Sequence, residues 1–215
     1  MNRSSISCPS VSGVLRDGTT HPPAWVASCE PLSLRRFWDG PESVPVEAGS
    51  ACVGANAEGL AFFLTYQDSD IFSTATADQQ KMWTLGDVAE LFIKPGTDRS
   101  DYWEIHITPN DFLMDILIPD RERFMGGAIT WDEVIAPSSG TRRRVTLNES
   151  GWSVEALVPW QAFALDCAPG AGAVWQFAVC RYNCNGGLEN PELSSTAQYT
   201  VAGFHRFEEF SDLMF

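Results

Sequence analysis

The chain's strongest constraint is a succession of short runs of β-branched and aromatic residues, each closed by turn residues, with no sustained helical period between them. That spacing is what an antiparallel sandwich requires and what alternating helices and strands do not produce. The runs predict strands over Ala51–Ala57, Leu60–Gln67, Asp87–Lys94, Tyr102–Thr108, Phe112–Ile118, Arg142–Leu147, Trp152–Val158 and Val174–Tyr182, with a last one near the C-terminus. Several alternate cleanly. Trp152, Val154, Ala156 and Val158 share one face, and Trp103, Ile105 and Ile107 oppose Tyr102, Glu104, His106 and Thr108. Asn56–Gly59 and Pro109–Asp111 supply turn chemistry for hairpins. Helix is expected only over Ala75–Met82 and Trp160–Leu165.

These readings predict an all-β fold: one antiparallel β-sandwich of jelly-roll or immunoglobulin-like type with short helical turns. Residues 1–47, rich in Pro, Ser and Gly, read as an arm that packs on the domain through Phe37 and Trp38, and residues 48–215 as the sandwich. A chain of 215 residues suffices to bury such a core.

A formal charge of −14 repels nucleic acid and anionic membranes, so neither is expected as a partner. Nothing in residues 1–30 forms the apolar run of a secretory signal, which gives a cytoplasmic expectation for the chain as written and an extracellular one if a leader has been removed. The six cysteines include no CxxC pair and read as free thiols; Cys180, Cys184 and His205 lack a fourth ligand at zinc-like spacing. Eight Trp are many for this length, and an indole face is a good surface on which to stack a pyranose ring.

From Leu60 onward the segments LAFFLTYQDSDIF, WTLGDVAELFIKP, YWEIHITPND, GWSVEALVPW, VWQFAVCRYN and FHRFEEFSDLMF, in this order and spacing, resemble the family 9 carbohydrate-binding modules. The resemblance implies a non-catalytic sandwich that holds a mono- or oligosaccharide between two aromatic rings. It implies Trp83, just before the D-x-x-E strand, as the first ring and Glu90 as its acidic hydrogen-bonding partner. Phe204, six positions before the terminal Phe-x-x-Leu, takes the second ring's place, where known binders carry Trp. His106 and Arg181 are the candidate polar contributions from the central strands. No cofactor is implied beyond structural calcium, for which Asp68 and Asp70 are the suggestion.

Each of these residues also has a purely structural reading: Trp83 as a plug over the sandwich edge, Phe204 as core, Glu90 as half of an ion pair with Arg181, and His106 as a satisfied core histidine. Glu155 reads as structural, and Arg142, Arg143 and Arg144 as a solvated strand face paired to carboxylates. Three other function classes stay open. A glycoside hydrolase would draw on Glu90, Glu104 and Asp115; a haem-binding sandwich would use ligands among Lys81, Met82, His106, Met114 and His205; a structural or interaction domain would have lost the sugar site.

Overall fold

The computed structural model describes residues 3–16, 21–135, 138–185 and 187–215. Within the N-terminal arm, residues 1, 2 and 17–20 lie outside that set. The strands are β1 (Ser5–Ser7), β2 (Leu32–Ser33), β3 (Gly49–Ala55), β4 (Gly59–Gln67), β5 (Val88–Lys94), β6 (Tyr102–Ile107), β7 (Leu113–Ile118), β8 (Arg142–Asn148), β9 (Gly151–Pro159), β10 (Val174–Asn183), β11 (Glu192–Ser195) and β12 (Ser211–Met214). Between β7 and β8 lie two one-turn helices, α1 (Arg121–Met125) and α2 (Trp131–Val134).

Two sheets form. The first has the order β1-β12-β10-β5-β6-β7, with β11 also on β10; the second is β2-β3-β4-β9-β8. All pairings between these strands are antiparallel except β1 with β12. The expected β-sandwich is therefore the fold. No helix among the described residues is long and apolar enough to cross a membrane.

Period-two alternation explains the layering. Leu91, Ile93, Trp103, Ile105, Ile107, Phe177 and Val179 point from the first sheet into a common core with Leu60, Phe62, Leu64, Trp152, Val154, Ala156 and Val158 of the second. The alternate residues of the first sheet, among them Phe92, Tyr102, Met114, Ile116, Ala178 and Cys180, point outward into a second apolar cluster completed by Tyr199, Phe204 and Phe210. This sheet is thus buried on both faces, its outer one roofed by loops. The arm runs along the molecule, with Trp25 packed edge-on against Phe63 at 6.4 Å and β2 on the edge of β3.

The two helical expectations fare differently. Trp160–Phe163 is a 3-10 turn, whereas residues 75–81 are loop, with a 3-10 turn only at Met82–Thr84. The Gln80 side chain accepts from the backbone N–H groups of Thr76 and Ala77, and Gln79 has φ of 63°, a conformation no helix tolerates. Helices α1 and α2 were not expected. Their signals are local capping chemistry, Asp120 accepting from Arg123 N–H and the Thr130–Glu133 capping box, not periodicity.

Arg181 settles a register question. It lies in β10 with the parity of Phe177 and Val179, so its side chain enters the interior between the sheets. There its Nη2 donates to Asp68 Oδ2 at 3.0 Å, and its guanidinium sits 5.0 Å from the Tyr66 ring. Trp152 Nε1 donates to the same Asp68 oxygen at 3.1 Å, and Glu47 Oε2 lies 3.9 Å from Arg181. Arg181 consequently does not pair with Glu90. Asp68 and Asp70 do not fit a calcium site, because a guanidinium occupies the place beside Asp68 that a cation would need. Glu155 is structural, as its position suggested: it accepts from Leu15 N–H and Trp25 Nε1. Removing one partner of a buried pair leaves an uncompensated charge. Asp68→Ala is therefore expected to cost about 3 kcal/mol, the low end of the range for such pairs because Tyr66 and Glu47 stay beside Arg181. A urea denaturation midpoint checks this, and a loss under about 1 kcal/mol would contradict it.

Candidate functional site

On the outer face of the first sheet, strand register brings three polar side chains together. Glu90 of β5 stands directly opposite His106 of β6, and Glu104 precedes His106 by two residues on the same strand face. Neighbours of both kinds are within side-chain reach. His106 Nε2 lies 2.8 Å from Glu104 Oε1 and 3.2 Å from Glu90 Oε1, all three side chains being less than 6% exposed. On the other side of the ring, His106 Nδ1 is buried without a hydrogen-bond partner among the described residues, and so is Glu104 Oε2. Buried polar atoms are rarely left in that condition.

Burial, with Glu104 as a second negative neighbour, pushes the Glu90 carboxyl well above the ordinary range. Burial alone would push Glu104 up as well, but His106 and then His205 beside it hold its carboxyl lower than usual. The pair is thus polarised, Glu90 toward the protonated form and Glu104 toward the ionised one.

Aromatic side chains wall this floor into a cavity of about 320 Å³, near the lower bound for small-ligand pockets, about 300–1,000 Å³. Trp83 stands on the 3-10 turn that leads into β5, anchored by fully buried Met82, and meets His106 edge-on at 5.6 Å. Trp131 of α2 meets Trp83 at the same 5.6 Å, with Lys81 Nζ 5.0 Å from its ring. Phe204 lines the cavity from the loop before β12, although only 5% of it is exposed, because Phe92, Tyr182 and Tyr199 pack around it at 5.7–6.2 Å. His205 closes one side; Tyr102 Oη and His205 Nδ1 share a hydrogen bond of 2.8 Å, and its Nε2 is 3.7 Å from Glu104 Oε2.

Trp83, Glu90, His106 and Phe204 therefore converge on one cavity, and Arg181 is on the far side of the sheet. Glu104, Trp131, Tyr182 and His205 join them. Glu104 was legible as the i−2 neighbour of His106, whereas Trp131 had only the capping box to mark its helix. Asp115, grouped with Glu90 and Glu104 in the hydrolase reading, points the other way and accepts from Ser139 N–H and Gln79 Nε2. Met82 and Met114 are wholly buried and do not line the cavity, so they present no sulfur to a haem there. No group of three or more His, Cys, Asp or Glu among the described residues is arranged to hold a metal ion.

A broader hollow of about 640 Å³ adjoins the cavity across Met125, Phe204 and His205. Its charged groups pair with one another, Arg121 with Glu208 and Arg206 with Glu209, although Arg206 Nε is buried without a hydrogen-bond partner among the described residues.

No protein-family model matches this sequence, and no curated protein does. Solved structures do. A Bacteroides uniformis protein provisionally assigned to carbohydrate binding superposes with a TM-score of 0.68 at 15% identity, over 100% of both chains. A family 9 carbohydrate-binding module from Caldicellulosiruptor kristjanssonii, in complex with cellotriose, gives 0.68 at 13% identity, covering 98% of this chain and 93% of the other. The fold is that of the family 9 carbohydrate-binding modules. The same kind of module from that organism in complex with glucose gives 0.67 at 12% identity. At such identities the shared family 9 architecture fixes the frame, and the chemistry rests on the side chains described above.

The raised Glu90 pKa has a consequence for stability. Above about pH 4.3, the ordinary Glu value, the unfolded chain releases this proton while the folded one keeps it. The stabilisation is complete below that pH and is lost as pH rises toward the folded value. Glu90→Gln removes this loss. Its stability relative to the parent protein is expected to increase steadily from pH 4.5 to neutrality in urea titrations; a pH-independent difference would contradict the assignment.

Proposed function

We propose that this protein binds carbohydrate without chemical turnover, holding one sugar ring in the cavity between Trp83, Trp131 and Phe204. Glu90, Glu104 and His106 receive its hydroxyls. The observation that carries this reading is a buried polar floor beneath aromatic walls: Glu90, Glu104 and His106 are each less than 6% exposed, and His106 Nδ1 and Glu104 Oε2 have no hydrogen-bond partner among the described residues. A sugar has hydroxyls at its edge and C–H groups on its faces, so it satisfies carboxylates and stacks on indoles at once. The cellotriose and glucose held by architectural neighbours support the ligand class.

Binding without hydrolysis is favoured by the position of His106. A glycosidase needs its two carboxyl groups about 5–10 Å apart across an open space that admits the scissile bond. Here an imidazole stands against both carboxylates. Arg181 contributes from the interior by fixing β10 against the second sheet. Neither nucleic acid nor membrane fits as a partner, since both are repelled by the chain's acidic charge.

Calorimetric titration with glucose, cellobiose and cellotriose tests the proposal. Dissociation constants in the millimolar to micromolar range are expected. Trp83→Ala should weaken them at least about tenfold, since a stacked ring contributes about 0.5–1.5 kcal/mol beyond its buried area. Equal heats from both proteins would place the ligand elsewhere, and release of reducing sugar would reopen hydrolysis.

A further inference from the structure

His205 stands where the two hollows meet, and its neighbours fix what it can offer a ligand, on the premise that the cavity takes a sugar. It lines both the smaller cavity and the broader one, and its side chain is 30% exposed. The residue is held from three sides: Phe92 meets its ring edge-on at 5.6 Å, Phe124 stands 6.5 Å away, and Arg121 donates to its backbone carbonyl at 3.2 Å. One ring nitrogen, Nδ1, shares the 2.8 Å hydrogen bond with Tyr102. The other, Nε2, lies 3.7 Å from Glu104 Oε2, too far for a hydrogen bond, and has no such partner among the described residues. Unlike Glu104 Oε2, it is not sealed from solvent.

The phenol decides which nitrogen carries the proton. Tyr102 is wholly buried, and its hydroxyl has no hydrogen-bond partner other than His205 among the described residues. Burial, and Glu104 after it, push the phenol's pKa up, so the hydroxyl keeps its proton. If Nδ1 carried the imidazole proton, it would donate to the phenol oxygen and leave the phenol O–H buried with no acceptor, a costly arrangement. With the phenol donating to Nδ1, both groups are satisfied and the neutral imidazole keeps its proton on Nε2. Protonation of the ring leaves that N–H in place, since an imidazolium donates from both nitrogens.

We infer that His205 is a further ligand-binding residue, donating from its Nε2–H to a sugar oxygen at the mouth of the cavity, and that Tyr102 is a positioning residue that fixes this tautomer. Every sugar hydroxyl has lone pairs with which to accept such a bond. Because His205 also borders the broader hollow, the oxygen it reads is one that faces out of the cavity and not one on its floor. An imidazole that served Tyr102 alone would need only Nδ1. The open, unbonded Nε2 sets His205 apart from His106, whose ring is buried.

Histidine-selective 15N spectra and calorimetric titration of the whole protein test the inference. In mildly alkaline buffer, where a histidine ring is ordinarily neutral, the unmodified protein is expected to show His205 with its proton on Nε2, and saturating glucose should shift that resonance. His205→Ala should weaken glucose binding about fivefold, the ratio that about 1 kcal/mol of hydrogen bonding gives. Tyr102→Phe should weaken it less, and should have no further effect once His205 is replaced by alanine, a coupling that a merely structural phenol does not give. A proton on Nδ1 overturns the donor, and equal losses from Tyr102→Phe in both backgrounds overturn the positioning role. Glucose bound equally by the parent and by His205→Ala, with the Nε2 resonance unmoved, overturns the contact and leaves sugar binding standing. No heat from glucose, cellobiose, cellotriose or galactose overturns the contact and the sugar reading together. The spectra are of the unmodified protein, so they decide the matter even if His205→Ala folds poorly.

Discussion

The two-residue period of the first sheet is the constraint from which the rest of the structure follows. Along β5, β6 and β10 it sends Leu91, Ile93, Trp103, Ile105, Phe177 and Val179 inward and Glu90, Glu104 and His106 outward. The apolar half locks the register, since a shift by one residue would bury three ionisable groups between the sheets. The polar half is then held in place by a core it does not touch. A carboxylate–imidazole–carboxylate cluster is costly to bury, and here the sheet's hydrogen-bond ladder and an apolar core supply the stability that such a cluster does not supply for itself.

The same alternation shows what was readable from sequence. Strand spans fell close to their observed limits wherever polar and apolar residues alternate, as in β6, where His106 lies on the face opposite Trp103 and Ile105. β10 gave no such cue. Ala178, Cys180 and Tyr182 on one face are as apolar as Phe177 and Val179 on the other, because both faces are buried, so Arg181 carried no mark of its side. The residue expected at the ligand instead ties the two sheets together through Asp68. Trp131 was missed on different grounds: a four-residue helix is too short for periodicity to register, and only Thr130 and Glu133 announce it.

Phe204 shows how position and exposure differ. Its place before the last strand puts it at the cavity, yet Trp38, Phe92, Tyr182 and Tyr199 surround it so closely that it serves as much to seal the outer cluster as to line the hollow. The open aromatic surface falls to Trp83 and Trp131, which stand against each other on one side of the cavity. The aromatic and the polar sides of the cavity are thus adjoining walls and not two facing plates.

The floor and the roof of this cavity are made of different material. Glu90, Glu104 and His106 sit on central strands whose every shift would propagate through both sheets, whereas Trp131, Phe124 and Met125 sit on one-turn helices that no sheet hydrogen bond restrains. Loops of that kind accept insertions, deletions and substitutions that strands do not. Descendants of such a gene can therefore exchange the roof, and with it the size and shape of the cavity, while inheriting the polar floor unchanged. The shape of the roof and the composition of the floor are in this fold separately evolvable traits.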